Sequence, residues 1–347
     1  MHTRTTRTTR TTRTASLVVA AIATAAVLPG TGTLGGPTPA VAAAAPVTSA
    51  TIRTAPTTDV FAGGPTVQPD SQAALAAAKL TAEGRTAEAA AARTIASRPV
   101  ATWLGEWYTG DLLDRVVARN TATAEKSGTT PVFVTYAVPN RDCGGYSAGG
   151  LTASAYTAWN ERIAADLRGH RAVVLVEPDS LSHLATCTTE RATRPALIAA
   201  AVRAFTAAGV PTYLDGGNEN WNTPALQAAY LQEAGVDQAR GFFTNVSNFY
   251  GVDGERAYAD RVSALTGGSH YVIDTSRNGR GWSGSWCNPT GAGLGRTPHA
   301  TGGSTALDAL LWVKTPGASD GTCNGGPAAG TWFASYAVAL VANARQE

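Results

Sequence analysis

No two of the four cysteines, Cys143, Cys187, Cys287 and Cys323, form a Cys-x-x-Cys pair, which excludes the common zinc and thiol-redox motifs. His170, His183, His270 and His299 have neither triad nor metal-ligand spacing, so surface or packing roles are expected for them and no metal site is expected. Charge is scarce too. Only 15% of residues are charged, and the net +2 owes much to Arg4, Arg7, Arg10 and Arg13 at the N-terminus, so the remainder is near neutral and offers no basic face for nucleic acid. The apolar run Ser16 to Leu28 is too short to span a bilayer comfortably, so stable membrane insertion is not expected. There is no internal repeat and no sorting tail, which argues against a repetitive structural array.

What is present begins with export. A basic Thr/Arg segment leads into Ser16 to Leu28 and then small residues, with Ala40-Val41-Ala42 as a cleavage site, so residues 1–42 are expected to be a secretory signal peptide. No Arg pair is present, which favours the general secretory route over the twin-arginine one. Residues 43–59, rich in Ala, Pro and Thr, are expected to be a flexible lead-in, and residues 60–347 the functional domain. With 44% hydrophobic residues in 347, that domain can bury a sizeable core, and an even cysteine set in an exported chain is expected to form disulfides.

The stretch Ser71 to Ala96 is Ala-rich and predicts a helix or two interrupted at Gly84. Beyond it, short apolar runs alternate with helical stretches. The runs are Ala101–Leu104, Val132–Val138, Val173–Val176, Thr212–Leu214, Gly241–Thr244, Tyr271–Ile273 and Leu310–Val313, which predicts an α/β fold with a parallel sheet. Most of these runs end in a carboxylate or amide: Asp142, Glu177 and Asp179, Asp215, Asn245, Asp274 and Asp320. A closed sheet would gather all these strand ends on one rim, where ligands meet parallel strands, so a barrel is favoured.

That rim would also carry Tyr136, Trp103, Trp221, Trp286 and Lys314. Several carboxylates mixed with several Trp suit a sugar, because the apolar face of a pyranose stacks on an aromatic ring while carboxylates accept its hydroxyls. Cleaving a glycosidic bond needs one protonated and one ionised carboxyl, and crowding like charges pushes their pKa values apart.

Together the blocks VTYAVPNRDCGGYSAGG, VVLVEPDSLSHLATC, YLDGGNENW, GFFTNVSNFY, YVIDTSRNGRG with WCNPTGAGLG, and LLWVKTPGASDGTCNGG resemble the successive motifs of the family 6 glycoside hydrolases, the inverting cellulases. The resemblance runs in order from about Trp103 to the C-terminus. It implies a distorted, incompletely closed seven-stranded parallel (β/α) barrel, a β-1,4-glucan substrate, and neither cofactor nor metal. It makes Asp179 the general acid and Asp142 the group that raises the pKa of Asp179 and helps carry a proton from water. Asp320 becomes the base candidate, Asp215 the keeper of the site's charge pattern, and Tyr136 the ring under the distorted sugar. Trp103, Trp221 and Trp286 become sugar platforms, Lys314 and Asn245 polar sugar contacts, and Ser147 a member of a Gly-rich loop that closes over substrate. Asn218 stands where the family usually has His, and Ala318 where it usually has Glu, which implies retained chemistry with altered glucan recognition. Asp274 is expected to brace Arg277 about as readily as to act on substrate. Of three connectivities, Cys143–Cys187 and Cys287–Cys323 are expected, each pinning loops beside aspartates. The short spacing from Cys287 to Cys323, and the lack of a linker and carbohydrate-binding module, imply an open cleft, endo action and a secreted monomer. The competing expectations are a glycosidase for a modified β-glucan and a carbohydrate-binding protein with little catalysis.

Overall fold

The computed structural model describes residues 59–302 and 304–345; the expected signal peptide and all but the last residue of the expected lead-in lie outside them. The Ala-rich stretch forms α1 (Gln72–Ala82) and α2 (Thr86–Ala96), separated at Gly84, whose φ of 72° suits glycine. After them β-strands and helices alternate: β1 (Thr102–Gly105), α3 (Gly110–Ser127), β2 (Val132–Tyr136), α4 (Ala153–Leu167), β3 (Val173–Val176), α5 (Arg194–Ala207), β4 (Thr212–Asp215), α6 (Pro224–Glu233), β5 (Gly241–Thr244), α7 (Val252–Leu265) and β6 (His270–Asp274). A short β7 (His299–Ala300), β8 (Leu307–Leu311) and α8 (Ala334–Ala342) complete the described elements.

The sheet order is β1-β2-β3-β4-β5-β6-β8-β7, parallel throughout except for β7, which runs antiparallel to β8. Seven parallel strands therefore sit side by side as expected, and β7 is an addition. Its polar sequence carries no strand signal, and it pairs only through His299 and Ala300. The last parallel strand also starts and ends earlier than the apolar run Leu310–Val313. The backbone N–H groups of Val313 and Lys314 donate to the Asp274 carboxylate instead of continuing the ladder.

Period-2 alternation sorts the strand side chains into two cores. Val132, Val134, Val173, Leu175, Tyr213, Phe243, Val272, Ala309 and Leu311 pack together inside the curled sheet, joined by Phe61 from the lead into the domain. Phe133, Val174, Val176, Leu214, Phe242, Tyr271, Ile273 and Leu310 face outward against the helices. The sheet curls until its edges touch without pairing as strands. Ala101 N donates to Trp312 O at 3.0 Å and Trp103 Nε1 donates to Val313 O at 2.8 Å. This leaves an incompletely closed barrel with every parallel strand ending on one rim.

Candidate active site

The rim encloses a cavity of about 1000 Å³, and among the residues lining it are Trp103, Tyr136, Asp142, Ser147, Asp179, Asn218, Trp221, Trp286, Lys314 and Asp320. Where strands end here the backbone is strained. Asp142, Asp179 and Ser247 hold φ values of 59°, 69° and 62°, conformations that cost a non-glycine residue about 1–3 kcal/mol and that concentrate at functional sites.

Asp179 follows β3 by three residues. Glu177, between them, is fully buried and accepts from Ala137 N at 2.9 Å and Val138 N at 3.1 Å, so it fixes the segment after β2 instead of facing the cavity. Burial pushes its carboxyl up to about 7. Asp179 also rises to about 7, chiefly through burial and then through the neighbouring Asp215 carboxylate. Among the described residues no hydrogen bond holds the Asp179 carboxyl, whereas each other rim aspartate is anchored by backbone N–H groups.

Asp142, after β2, accepts from Ser147 N at 2.7 Å and lies 3.6 Å from His183 Nε2. Burial would raise its carboxyl, but His183 and the Ser147 N–H outweigh it and hold the group below the usual carboxylate range. Asp320, after β8, is enclosed by cations: Arg277 Nη1 at 2.7 Å, Lys314 Nζ at 3.2 Å, and Asn288 N at 2.9 Å besides. Here too burial is overcome, by Arg277 first and Lys314 next, so Asp320 is also held low. Asp215 sits beneath the rim, taking hydrogen bonds from Leu181 N, Ser182 N and Gly217 N at 2.8–3.0 Å, while burial raises its carboxyl. Of the three strand-end aspartates that line the cavity, Asp179 is thus held near neutrality and Asp142 and Asp320 below their ordinary range. That is the division of labour acid–base chemistry needs.

Tyr136 is nearly buried, with Trp103 edge-on at 5.0 Å and the Arg141 guanidinium 4.3 Å above its ring. Burial first, then the Asp179 and Asp142 charges, push its hydroxyl far up, so it stays protonated as a donor. Disulfides Cys143–Cys187 and Cys287–Cys323 tie the Asp142 segment to the segment after Asp179, and the Trp286 segment to the segment after Asp320.

A family model described as glycosyl hydrolases family 6 matches residues 64–344. The chain belongs to this family. Endoglucanase A of Cellulomonas fimi is 41% identical over 247 residues, 71% of this chain and 55% of that protein, so the match spans about half of that relative's length. Endoglucanase 1 of Streptomyces halstedii is 37% identical over 315 residues, covering 87% of this chain and 94% of that protein. The structure of the endoglucanase Cel6 from Mycobacterium tuberculosis, in complex with methyl-cellobiosyl-4-deoxy-4-thio-β-D-cellobioside, superposes with a TM-score of 0.76 at 41% identity, covering 83% of this chain and 100% of that one.

Three features of this family 6 chain depart from what its sequence led us to expect. Asn245 does not line the cavity. It is wholly buried, its Nδ2 donating to Tyr250 O and Asp274 O while its Oδ1 accepts from Tyr250 N, which leaves its amide occupied within the fold. Asp274 does not pair with Arg277 but anchors the backbone of Ser276, Val313 and Lys314. Arg277 spends its charge on Asp320 instead. The third is His183, assigned to surface or packing. It lines the cavity, beside Asp142 and at right angles to the Trp221 ring at 4.9 Å. A signal for it existed, since Asp179 and His183 are four residues apart, the spacing at which helical turns align side chains. Trp282 also lines the cavity, stacked on Tyr250 at 5.2 Å.

Proposed function

We propose that the chain is a secreted, endo-acting, inverting hydrolase of β-1,4-glucosidic bonds in cellulose or a related soluble β-glucan, with Asp179 as general acid. The observation that carries this is the split in rim protonation, with Asp179 pushed up to about 7 while Asp142 and Asp320 are held low. Asp179 can enter the reaction protonated and, free of competing hydrogen bonds, give its proton to the leaving glycosidic oxygen. Inversion needs water delivered to the opposite face of the sugar. Asp142, ionised and beside Ser147, suits the relay that takes the water's proton. Asp320, its oxygens occupied by Arg277 and Lys314, is a poor proton acceptor and better suited to holding charge around the distorted sugar. Tyr136 lies under that sugar, and Trp103, Trp221 and Trp286 offer stacking faces.

The curated relatives at 37–41% identity are named endoglucanases, whereas those at 30% are named exoglucanase or cellobiohydrolase, and only 36 positions separate Cys287 from Cys323, which leaves little chain to roof a tunnel. Two disulfides suit an oxidising, extracellular setting. Asn218 and Ala318 both line the cavity, so the departures noted in the sequence face substrate and favour a second reading in which the polymer is a modified or mixed-linkage β-glucan. Viscosity and reducing ends followed together on a panel of soluble β-glucans, with the product anomer read by proton NMR, test both readings. Fast viscosity loss with an initial α-anomer is expected. An initial β-anomer overturns inversion, and cellobiose released without viscosity loss overturns endo action.

A further inference from the structure

We propose that His183 is a positioning residue for this reaction: its imidazolium pairs with the Asp142 carboxylate and couples that carboxylate to the Trp221 sugar platform. The proposal rests on the assignment of Asp142 and Asp179 to hydrolysis.

His183 is placed by its own segment and by a covalent tie. Its N–H donates to Asp179 O at 3.0 Å and its carbonyl accepts from Cys187 N at 2.7 Å, so Asp179, His183 and Cys187 follow one another around a tight turn. Cys187 is bonded to Cys143, the neighbour of Asp142. The turn that carries the imidazole is therefore fastened to the turn that carries its partner, and the 3.6 Å between Nε2 and Asp142 Oδ1 is set from both sides. The other oxygen of Asp142 is already committed to Ser147 N. Across the ring, Trp221 stands edge-to-face at 4.9 Å, so an imidazole shift moves a cavity wall.

The electrostatic surroundings agree. Three carboxylates face the imidazole: Asp142 from the loop after β2, Asp179 from its own segment, and Asp215 from the end of β4. The nearest cations address the carboxylates instead, Arg141 acting on Asp142 and Lys314 on Asp179. Charged groups on the neighbouring segments are turned away, Glu190 towards Arg194 and Asn140, and Glu233 towards Arg191. Burial disfavours an imidazolium, yet the carboxylates outweigh it and raise the His183 pKa. A positive His183 holds Asp142 ionised by pairing as well as by charge, and its charge also lowers the Asp179 carboxyl, which stays raised because burial and Asp215 outweigh it.

The test has two arms. Imidazole ¹⁵N shifts of the full protein are followed against pH, and His183 is expected to remain charged above about 6.5, where a free imidazole is half neutral, and to lose that displacement in Asp142→Asn. In the second arm His183→Gln, which keeps a donor but not a charge, is expected to move the acid limb of kcat/KM upward by about one unit and to weaken oligosaccharide binding several-fold. A His183 titration that Asp142→Asn leaves unchanged, or an unmoved acid limb in His183→Gln, overturns the proposal. The first arm needs no turnover. If the wild-type protein is inactive on every β-glucan, the hydrolytic reading falls while the His183–Asp142 pairing is still read.

Discussion

Arg277 donates from Nη1 to Asp320 Oδ2 across 2.7 Å, with almost nothing of either side chain open to solvent. Removing Arg277 leaves the buried Asp320 carboxylate with Lys314 as its remaining cation and one oxygen held only by Asn288 N. Arg277→Met is therefore expected to lose about 3–5 kcal/mol of unfolding free energy at pH 7. Asp320 has a depressed folded pKa, so its contribution is present above the ordinary carboxylate range and lost as pH falls through the folded value. Urea unfolding at pH 7 and pH 3 checks both points. The difference between variant and wild type should shrink at the lower pH, and an undiminished difference would place the effect in packing against Phe249, over which the guanidinium lies at 4.4 Å.

For Asp179, the expected result of Asp179→Asn is a fall in turnover on unactivated glucan by roughly two to four powers of ten, with cello-oligosaccharide affinity kept within a few-fold. The wild-type rate should also fall as pH rises above about 7, because the general acid is then losing its proton. Steady-state kinetics across pH together with calorimetric binding by the variant measure these. A variant with near wild-type turnover on polymer would remove Asp179 from the acid role.

How far the sequence reveals this site depends on the length scale of each interaction. Asp142, Asp179 and Asp320 are visible because each stands in the loop that follows a recognisable apolar run, and the sheet then brings run ends together. Asn245 met the same criterion and was misplaced, because a strand-end position does not say whether an amide turns to the cavity or into the loop behind it. Arg277 and His183 were missed in their roles for a different reason. Their partners lie 43 and 41 positions away, on other strands' loops, and the four-residue spacing from Asp179 places His183 near the site without pointing to Asp142 as its partner. The early end of β8 likewise follows from Asp274, a side chain on a neighbouring strand, capturing N–H groups that local propensity would leave to the ladder.

Glu255 lies on α7 beneath the loop that carries Asn218 and Trp221, accepting from Glu219 N at 2.9 Å. It is fully buried, and burial pushes it up to about 8. A raised carboxyl pKa means that the proton stabilises the fold fully below the ordinary carboxyl range, and that this support declines as pH rises towards about 8. Glu255→Gln should therefore melt above the wild type at pH 8–9 and close to it at pH 4. Thermal unfolding at the two pH values decides this, and a variant less stable at both would show that the ionised carboxylate is the form the fold prefers.

Tyr146 concerns how a polymer enters. It rides on the loop after Cys143, where its ring lies 6.0 Å from that of Trp286 and fills the space over Gly321, at which an added Cβ would come within 2.6 Å of Tyr146 Cγ. Both rings line the cavity and about half of each is exposed, so the contact joins two loops beside the substrate path. Under endo action a chain enters the cleft sideways past this contact, and an aromatic pair of about 0.5–1.5 kcal/mol is weak enough to yield where it stands in the way. Tyr146→Ala is then expected to raise KM for short cello-oligosaccharides about two- to tenfold, since one ring beside Trp286 is gone, while viscosity loss per reducing end on long soluble glucan stays equal or becomes steeper. Gly321→Ala, which displaces the ring without removing it, should act in the same direction. If either variant instead lowers viscosity more slowly per bond cleaved, Tyr146 serves to keep the cleft open, and the contact with Trp286 is not the gate for internal attack.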